Sequence, residues 1–216
     1  MKKKITIPDS IGLRIEYKRK FTLIEMYRTF ILLPSIIKKL KNNKKKNLIS
    51  KEFIERLQLA VTEVNGCAAC SYAHTHMALK QGMSQDEIDS FLNADGRFIN
   101  KDEVEAIIFA QHFADTRGLP KQDAYNIIEQ HYGKDKALII LSASQMMLAG
   151  NIYGIPLSAL QSRLRKKPYK ESSLFYEIGM LIMGIIILPI TLIHGLLRLL
   201  FGISNIRLDK NTAQED

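Results

Sequence analysis

Residues 178–197 form a run of twenty positions without Asp, Glu, Lys or Arg, and this run limits what the chain can fold into. As a helix it is long enough to cross a bilayer. The basic residues just before it favour keeping that side, and with it the rest of the chain, in the cytoplasm. Pro189, His194 and Arg198 interrupt a clean span, so a kinked, re-entrant or interfacial helix and a hydrophobic oligomer interface stay open. We expect a hydrophobic helix within residues 172–203 that associates with a membrane.

The preceding part of the chain has helical rather than strand periodicity. Apolar residues recur at the three- and four-residue spacing that places them on one face of a helix, and no stretch alternates convincingly as a strand does. Asn65-Gly66 should end one helix, and Pro120 and Pro156 should each open another. The sequence predicts an all-α fold with a compact multi-helix domain at residues 48–165. The predicted helices cover residues 49–65, 67–81, 84–91, 101–116, 120–131, 134–150 and 157–164.

Residues 1–47 form a basic segment ahead of this domain, and residues 204–216 form a polar tail. Residues 1–50 carry 14 Lys or Arg and 3 acidic side chains, whereas the net charge of the whole chain is +9. Such a segment is usually a solvated face or a linker, and it can also contact an anionic lipid surface. The basic run Lys38–Lys46 within this segment lacks interleaved aromatic residues and a known nucleic-acid motif, so no nucleic-acid partner is expected. Pro34 should end or kink a helix there.

The only two cysteines, Cys67 and Cys70, form a Cys-x-x-Cys pair that His74 and His76 follow closely. On a helix Cys67, Cys70 and His74 share one face, while His76 lies roughly opposite Cys67. Two cysteines one turn apart have Cα atoms about 5–6 Å from each other, which is within disulfide range. A helix N-terminus stabilises a thiolate, and His74 is close enough to Cys70 to take its proton. The pattern indicates a redox dithiol with a histidine acid/base.

Three other interpretations of the cysteine pair stay open, namely inert buried cysteines, a structural disulfide and a zinc site. A four-residue loop constrains little of the unfolded chain, which disfavours a purely structural disulfide. A structural zinc site needs four converging ligands, and His76 points away from the other three candidates. We therefore expect neither a metal nor an organic cofactor. A reducing cytoplasm is the default compartment for these cysteines.

The run from Glu55 to His74 resembles the signature of the alkyl hydroperoxidase D / carboxymuconolactone decarboxylase family. That signature is a Glu, eleven residues, Cys-x-x-Cys, three residues and a His, and Glu55, Cys67, Cys70 and His74 match it at the same spacing. The Asn-Gly before the first cysteine matches as well. The similarity covers roughly residues 48–160 and implies an alkyl hydroperoxidase D-like helical domain.

The same resemblance places a carboxylate beside the dithiol. It favours Glu55, on the helix before the cysteines. Glu63 is the alternative, because it would share a face with the cysteines if one helix ran unbroken through Asn65-Gly66. The usual family architecture also suggests that Asn151 and Tyr153 face the dithiol pocket.

Resemblance and local chemistry together imply a thiol-dependent peroxidase or disulfide reductase. Cys70, deprotonated through His74 with help from Glu55, would attack a peroxide, and Cys67 would resolve the product to a disulfide. A dithiol, lipoyl or thioredoxin-like donor would restore both thiols, and a peroxiredoxin is a further candidate partner. The family is commonly homo-oligomeric. A decarboxylase-like lyase and a non-catalytic, membrane-associated redox sensor are the alternative functions. The expected location is the cytoplasm or the cytoplasmic face of a membrane.

Overall fold

A computed structural model describes residues 8–210, apart from the side chain of Ser10. This part of the chain is mostly helical and contains no sheet; one isolated parallel bridge joins Lys121 and Asp209. The predicted all-α fold is confirmed. Two short 3-10 turns, Gly96–Phe98 and Lys101–Glu103, precede the seventh helix. The helices are α1 (Asp9–Gly12), α2 (Leu23–Phe30), α3 (Leu33–Lys46), α4 (Lys51–Asn65), α5 (Ala68–Lys80), α6 (Gln85–Leu92), α7 (Val104–Asp115), α8 (Gln122–Tyr132), α9 (Lys134–Leu164) and α10 (Leu174–Leu200).

Helix α9 is the centre of the fold, and α2, α3, α4, α5, α7, α8 and α10 all pack against it. Small and apolar residues occur all round this helix, as expected of a helix enclosed by others. The prediction that Pro156 opens a separate helix is wrong, because α9 continues through Pro156 to Leu164. A proline inside a helix removes one backbone hydrogen bond. Burial of Ile155 and Pro156 in the core offsets that loss.

The predicted break between the helices on either side of Gly66 is confirmed. Helix α4 starts at the Ser50 cap, whose side chain accepts a hydrogen bond from the Phe53 amide, and ends at Gly66. Gly66 has φ +72°, a conformation that glycine adopts most easily. The expected position of Pro120 in the first turn of α8 is wrong. The amide of Asp209 donates to the Pro120 carbonyl, which keeps this segment extended until α8 begins at Gln122.

The first helices belong to the same packed unit as the rest, although the sequence set residues 1–47 apart as a basic segment. Phe21, Met26 and Phe30 are buried in the core cluster that also holds both cysteines. Thr22 and Glu25 form a reciprocal capping box at the start of α2. Helix α2 ends at Phe30, and Pro34 lies in the first turn of α3, where a proline is well tolerated. Helices α2 and α3 thus form one wall around α9.

Helix α10 lies along the outside of this unit, against α2, α3 and α9. Its packed face holds small residues: a Cβ at Gly184 would meet the Tyr153 ring, and one at Gly195 would meet Ile31 and Pro34. Both α9 and α10 are long and apolar enough to cross a membrane by length and composition. They differ in packing, because the most apolar window of α9 is 78% buried and that of α10 is 22% buried.

Candidate redox site

Cys67 and Cys70 lie at the N-terminus of α5, where the chain leaves the turn at Gly66. Cys67 is the N-cap residue of α5, and its sulfur accepts a hydrogen bond from the Cys70 amide at 3.2 Å. The two residues form a disulfide with Cα atoms 5.3 Å apart, in agreement with the spacing expected for one helical turn. Cys67 is fully buried, whereas Cys70 is 8% exposed. The structure therefore holds the pair in its oxidised form, with Cys70 as the more accessible residue.

His74 and Glu55 form a close pair on the neighbouring helices α5 and α4. The distance from His74 Nδ1 to Glu55 Oε1 is 2.5 Å, and both side chains are largely buried. Glu63 does not take part, because its carboxylate lies 2.5 Å from the Lys18 ammonium. Of the two candidate carboxylates, only Glu55 thus contacts the histidine that shares a face with the cysteines.

Helix α9 packs directly over the disulfide through its backbone, because the residues that face the sulfurs are glycines. A Cβ at Gly154 would lie 2.5 Å from Cys70 Sγ and 2.7 Å from Cys67 Sγ, far inside van der Waals contact. One turn earlier, the Gly150 carbonyl oxygen is 3.6 Å from Cys70 Sγ. A disulfide sulfur carries no proton, so this is a contact in the oxidised form; the reduced thiol can donate to the same oxygen. Gly154 is therefore required for α9 to approach the redox pair.

A second residue of α9 secures the start of α5. Ser158 Oγ accepts a hydrogen bond from the Ala69 amide at 3.0 Å and donates to the Gly154 carbonyl at 2.7 Å. The first amides of a helix have no partner within the helix, so an oxygen from another element can satisfy one of them. Ser158 thereby connects the cysteine turn to the same helix that covers the disulfide.

A cavity of about 340 Å³ opens beside His74. Its polar lining comes from His74, Gln58 and the backbone of Gly150, whose carbonyl also contacts Cys70. The other lining residues are apolar: Phe30, Leu33, Met146, Met147 and Ala149. The cavity can thus admit a small, largely apolar molecule next to the histidine.

An ion-pair network fixes α4 on the side away from this cavity. The Arg56 guanidinium binds Glu103 through two contacts of 2.6 Å and Glu87 through one of 3.1 Å. Burial alone lowers the pKa of Arg56, but the hydrogen bonds and charges of Glu103 and Glu87 outweigh it and raise the pKa. The network joins α4 to α6 and to the turn before α7. It holds Glu55, the preceding residue, in place without presenting a free positive charge to the site.

The remaining candidates have other surroundings. His76 is exposed on the outer side of α5. Within residues 8–210 no group of three or more His, Cys, Asp or Glu side chains is placed to hold a metal ion. Asn151 is buried and bonds the end of α4 through Asn65 and Thr62. Tyr153 packs towards Gly184 of α10. Neither residue lines the cavity beside His74.

Sequence reasoning missed Gly150, Gly154 and Ser158, the three positions of α9 that touch or support the redox pair. A signal for them exists. They are spaced by four residues, so they form one stripe of small residues on a helix. Glycine in a helix interior is unfavourable by about 1 kcal/mol relative to alanine, and two of them in one stripe indicate a close approach.

Comparison with protein families supports the resemblance of this segment. The model of the carboxymuconolactone decarboxylase family matches residues 37–98, from within α3 to the 3-10 turn after α6. The matched range begins and ends earlier than the residues 48–160 that the resemblance suggested. No curated protein and no solved structure gives a significant match to the chain. The disulfide and the Glu55–His74 pair therefore lie within the segment that is similar to the carboxymuconolactone decarboxylase family.

Proposed function

We propose that this protein is a thiol-dependent oxidoreductase in which Cys67 and Cys70 cycle between dithiol and disulfide. The observation that carries the proposal is the contact between Glu55 on α4 and His74 on α5. His74 lies on the face of α5 that also bears the cysteines. A carboxylate that accepts the Nδ1 proton leaves Nε2 as the nitrogen that takes or gives a proton. A disulfide that only stabilised the fold would not need such an acid/base pair beside it.

In the first half-reaction the Cys70 thiolate attacks the terminal oxygen of a peroxide. The O–O bond breaks, Cys70 becomes a sulfenic acid, and the leaving alkoxide takes up a proton to give an alcohol. His74 removes the Cys70 proton before the attack and returns one to the leaving oxygen. The apolar lining of the cavity beside His74 favours an organic peroxide as the substrate.

The Cys67 thiol then attacks the sulfenic sulfur, which forms the disulfide and releases water. The structure corresponds to this oxidised product. An external dithiol of the lipoyl or thioredoxin-like class reduces it by exchange and leaves as its own disulfide. The net reaction consumes one peroxide and one dithiol and yields one alcohol, one water and one disulfide.

The direct test of the proposal is peroxide consumption in the presence of a dithiol reductant. Cys70→Ser should abolish turnover, because no thiol remains in contact with the Gly150 carbonyl beside the cavity. Cys67→Ser should still react once and leave a sulfenic acid on Cys70 that a diketone probe traps. In the wild-type protein, one equivalent of peroxide should remove both titratable thiols together. Unchanged turnover in Cys70→Ser contradicts the proposal.

Two matched variants on α4 test the role of the Glu55 carboxylate. Glu55→Gln should slow the reaction with peroxide by about tenfold to a hundredfold, less than the 10²–10⁴-fold expected of losing a general base outright. Glu63→Gln breaks only the contact with Lys18 and should leave the rate within about twofold. Equal effects of the two substitutions would remove Glu55 from the mechanism.

A lyase of the carboxymuconolactone decarboxylase type is the second candidate, because the family that matches residues 37–98 carries that name. Decarboxylation chemistry needs an acid/base pair and no thiol. Activity on a carboxylated lactone that persists in the Cys67→Ser, Cys70→Ser double variant would favour this function. Absence of activity on such a lactone in the wild-type protein, together with peroxide consumption, favours the thiol-dependent function.

A further inference from the structure

The outward face of α10 is apolar over its whole length. Every side chain of α10 that is exposed belongs to Leu, Ile, Phe or Pro. Its two charged residues are withdrawn from this face: Glu177 is fully buried against Arg163, and Arg198 is half-buried. A helix of 27 residues is about 40 Å long, so the patch greatly exceeds what a soluble monomer usually exposes. The large exposed side chains are Leu174, Phe175, Ile178, Ile182, Ile185, Ile186, Leu188, Ile190, Ile193, Leu196, Leu197 and Leu200.

Both ends of α10 are fastened to the same helical unit. At the N-terminal end the Tyr176 hydroxyl donates to the Phe21 carbonyl. Beyond the C-terminal end, Asn205 donates to the Leu32 carbonyl and accepts from Gln145. A helix tied along its length in this way cannot cross a bilayer unless α2, α3 and α9 enter the bilayer with it. The apolar face can therefore meet lipid only with the helix axis parallel to the membrane.

Helix α3, which packs against α10, supplies positive charge and no negative charge. Its sequence holds six lysines and no Asp or Glu, and most of these lysines are exposed. An apolar helix beside a lysine-rich one complements an anionic lipid surface. A second copy of the chain carries the same positive charge, so charge complementarity favours lipid as the occupant of this face. The lysines are Lys38, Lys39, Lys41, Lys44, Lys45 and Lys46.

We propose that the outward face of α10 docks onto an anionic membrane surface with the helix parallel to the membrane, and that the lysines of α3 contact the lipid headgroups. The apolar side chains enter the boundary between headgroups and acyl chains. The surface holds the protein on the membrane and does not span it. This inference is independent of the thiol chemistry, since it is read out by binding alone.

Sedimentation of the full chain with lipid vesicles tests whether the outward face of α10 binds a membrane. The protein should bind phosphatidylcholine vesicles that contain phosphatidylglycerol, and bind more weakly to vesicles of phosphatidylcholine alone. Ile182→Asp with Ile186→Asp should lower the partition coefficient by about tenfold or more, because both side chains are half-exposed on the apolar face. The matched control is Ile108→Asp with Ile127→Asp, which changes two isoleucines of similar exposure on α7 and α8 and should leave binding unchanged.

A separate variant tests the electrostatic contribution of the α3 lysines to membrane binding. Lys44→Gln, Lys45→Gln and Lys46→Gln together should weaken binding to the anionic vesicles, by about fivefold per lysine, and leave binding to neutral vesicles unchanged. This variant touches no core residue, so it keeps the test informative if the aspartate variants fold poorly. Equal binding of the lysine variant and the wild type to anionic vesicles contradicts the charge complementarity.

The orientation is measured with tryptophan, which the natural chain lacks. Single variants Phe175→Trp, Ile186→Trp and Phe201→Trp mark the start, the middle and the end of α10. Quenching by lipids brominated at different depths should place all three at the same shallow depth. A deep Ile186→Trp between two shallow ends means a spanning helix and overturns the proposal. Absence of vesicle binding, together with an oligomer that Ile182→Asp and Ile186→Asp dissociate, assigns the face to a second copy and overturns it as well.

Discussion

Gly154→Ala is the substitution that most directly tests how α9 meets the redox pair. The added methyl group would lie 2.5 Å from one sulfur and 2.7 Å from the other, whereas ordinary contacts of a Cβ begin at 3.4 Å. The overlap is therefore about 1 Å on two atoms at once. Neither sulfur can easily retreat, because Cys67 is fully buried and Ser158 holds the start of α5. Overpacking of this kind costs about 1–3 kcal/mol of unfolding free energy.

Alanine also gains about 1 kcal/mol over glycine in a helix interior, and this gain has to be separated from the clash. Gly150→Ala supplies the reference. It lies in the same helix, and its added methyl group would meet only Met147, at an ordinary 3.6 Å. Gly150→Ala should be neutral or stabilising, and Gly154→Ala should be less stable than it by about 1–3 kcal/mol. For a protein of this size that difference corresponds to roughly 2–12 °C in Tm.

The assay is urea denaturation of both variants with the disulfide intact, repeated in a Cys67→Ala, Cys70→Ala background. Removing the sulfurs removes the clash, so the two glycine substitutions should then have the same effect. The difference between the backgrounds isolates the contact as a double-mutant cycle. If Gly154→Ala is as stable as Gly150→Ala with the disulfide present, α9 does not approach the sulfurs as closely as described. A cost that survives loss of both sulfurs has another origin and refutes the reasoning equally.

Two further predictions concern the helices around the site. Arg56→Met leaves Glu103 and Glu87 without their cation and should lower the unfolding free energy by about 2–4 kcal/mol, measured by urea denaturation; a loss below ~0.5 kcal/mol contradicts the network. Glu25→Gln tests a pH dependence. Burial opposes ionisation of Glu25, but hydrogen bonds from Arg117 and Thr22 hold its pKa below the ordinary value of 4.5. Its contribution is therefore full above that value and is lost as the pH falls through the lowered pKa. The variant should be about 0.5–1 kcal/mol less stable than wild type near neutral pH and equally stable in strong acid; a difference that persists in acid contradicts this.

Local signals predicted most of the helices, and the family spacing predicted which carboxylate lies near His74. Asn65-Gly66 ended α4 as expected, since glycine adopts the left-handed conformation that a helix end needs. Glu55 was favoured over Glu63 by family spacing, and the structure places Glu55 against His74. These features depend on residues close in sequence, on the two helices that flank one turn. The catalytic roles of these residues stay predictions until the thiol experiments are done.

Features that depend on distant packing were harder to foresee. Pro156 looks like a helix start from its neighbours alone, yet the surrounding helices keep α9 continuous through it. The contribution of α9 to the site involves glycine backbone and a serine hydroxyl, which have no chemical signature in a sequence. The packing of α2 and α3 against the core was not predicted, because the six lysines of α3 make this part of the sequence look like a solvated face.

The unequal burial of the two sulfurs sets the direction in which the disulfide can be opened. In the proposed function an incoming thiolate would attack Cys70, the less buried residue, so the mixed disulfide would form there and Cys67 would be the leaving group. Cys67 departs in a favourable place, because its sulfur already accepts the Cys70 amide hydrogen bond at the positive end of α5. The fully buried residue, Cys67, thus lies where the charge released by such a reduction would be best stabilised. A reductant trapped on this protein should consequently be found attached to Cys70.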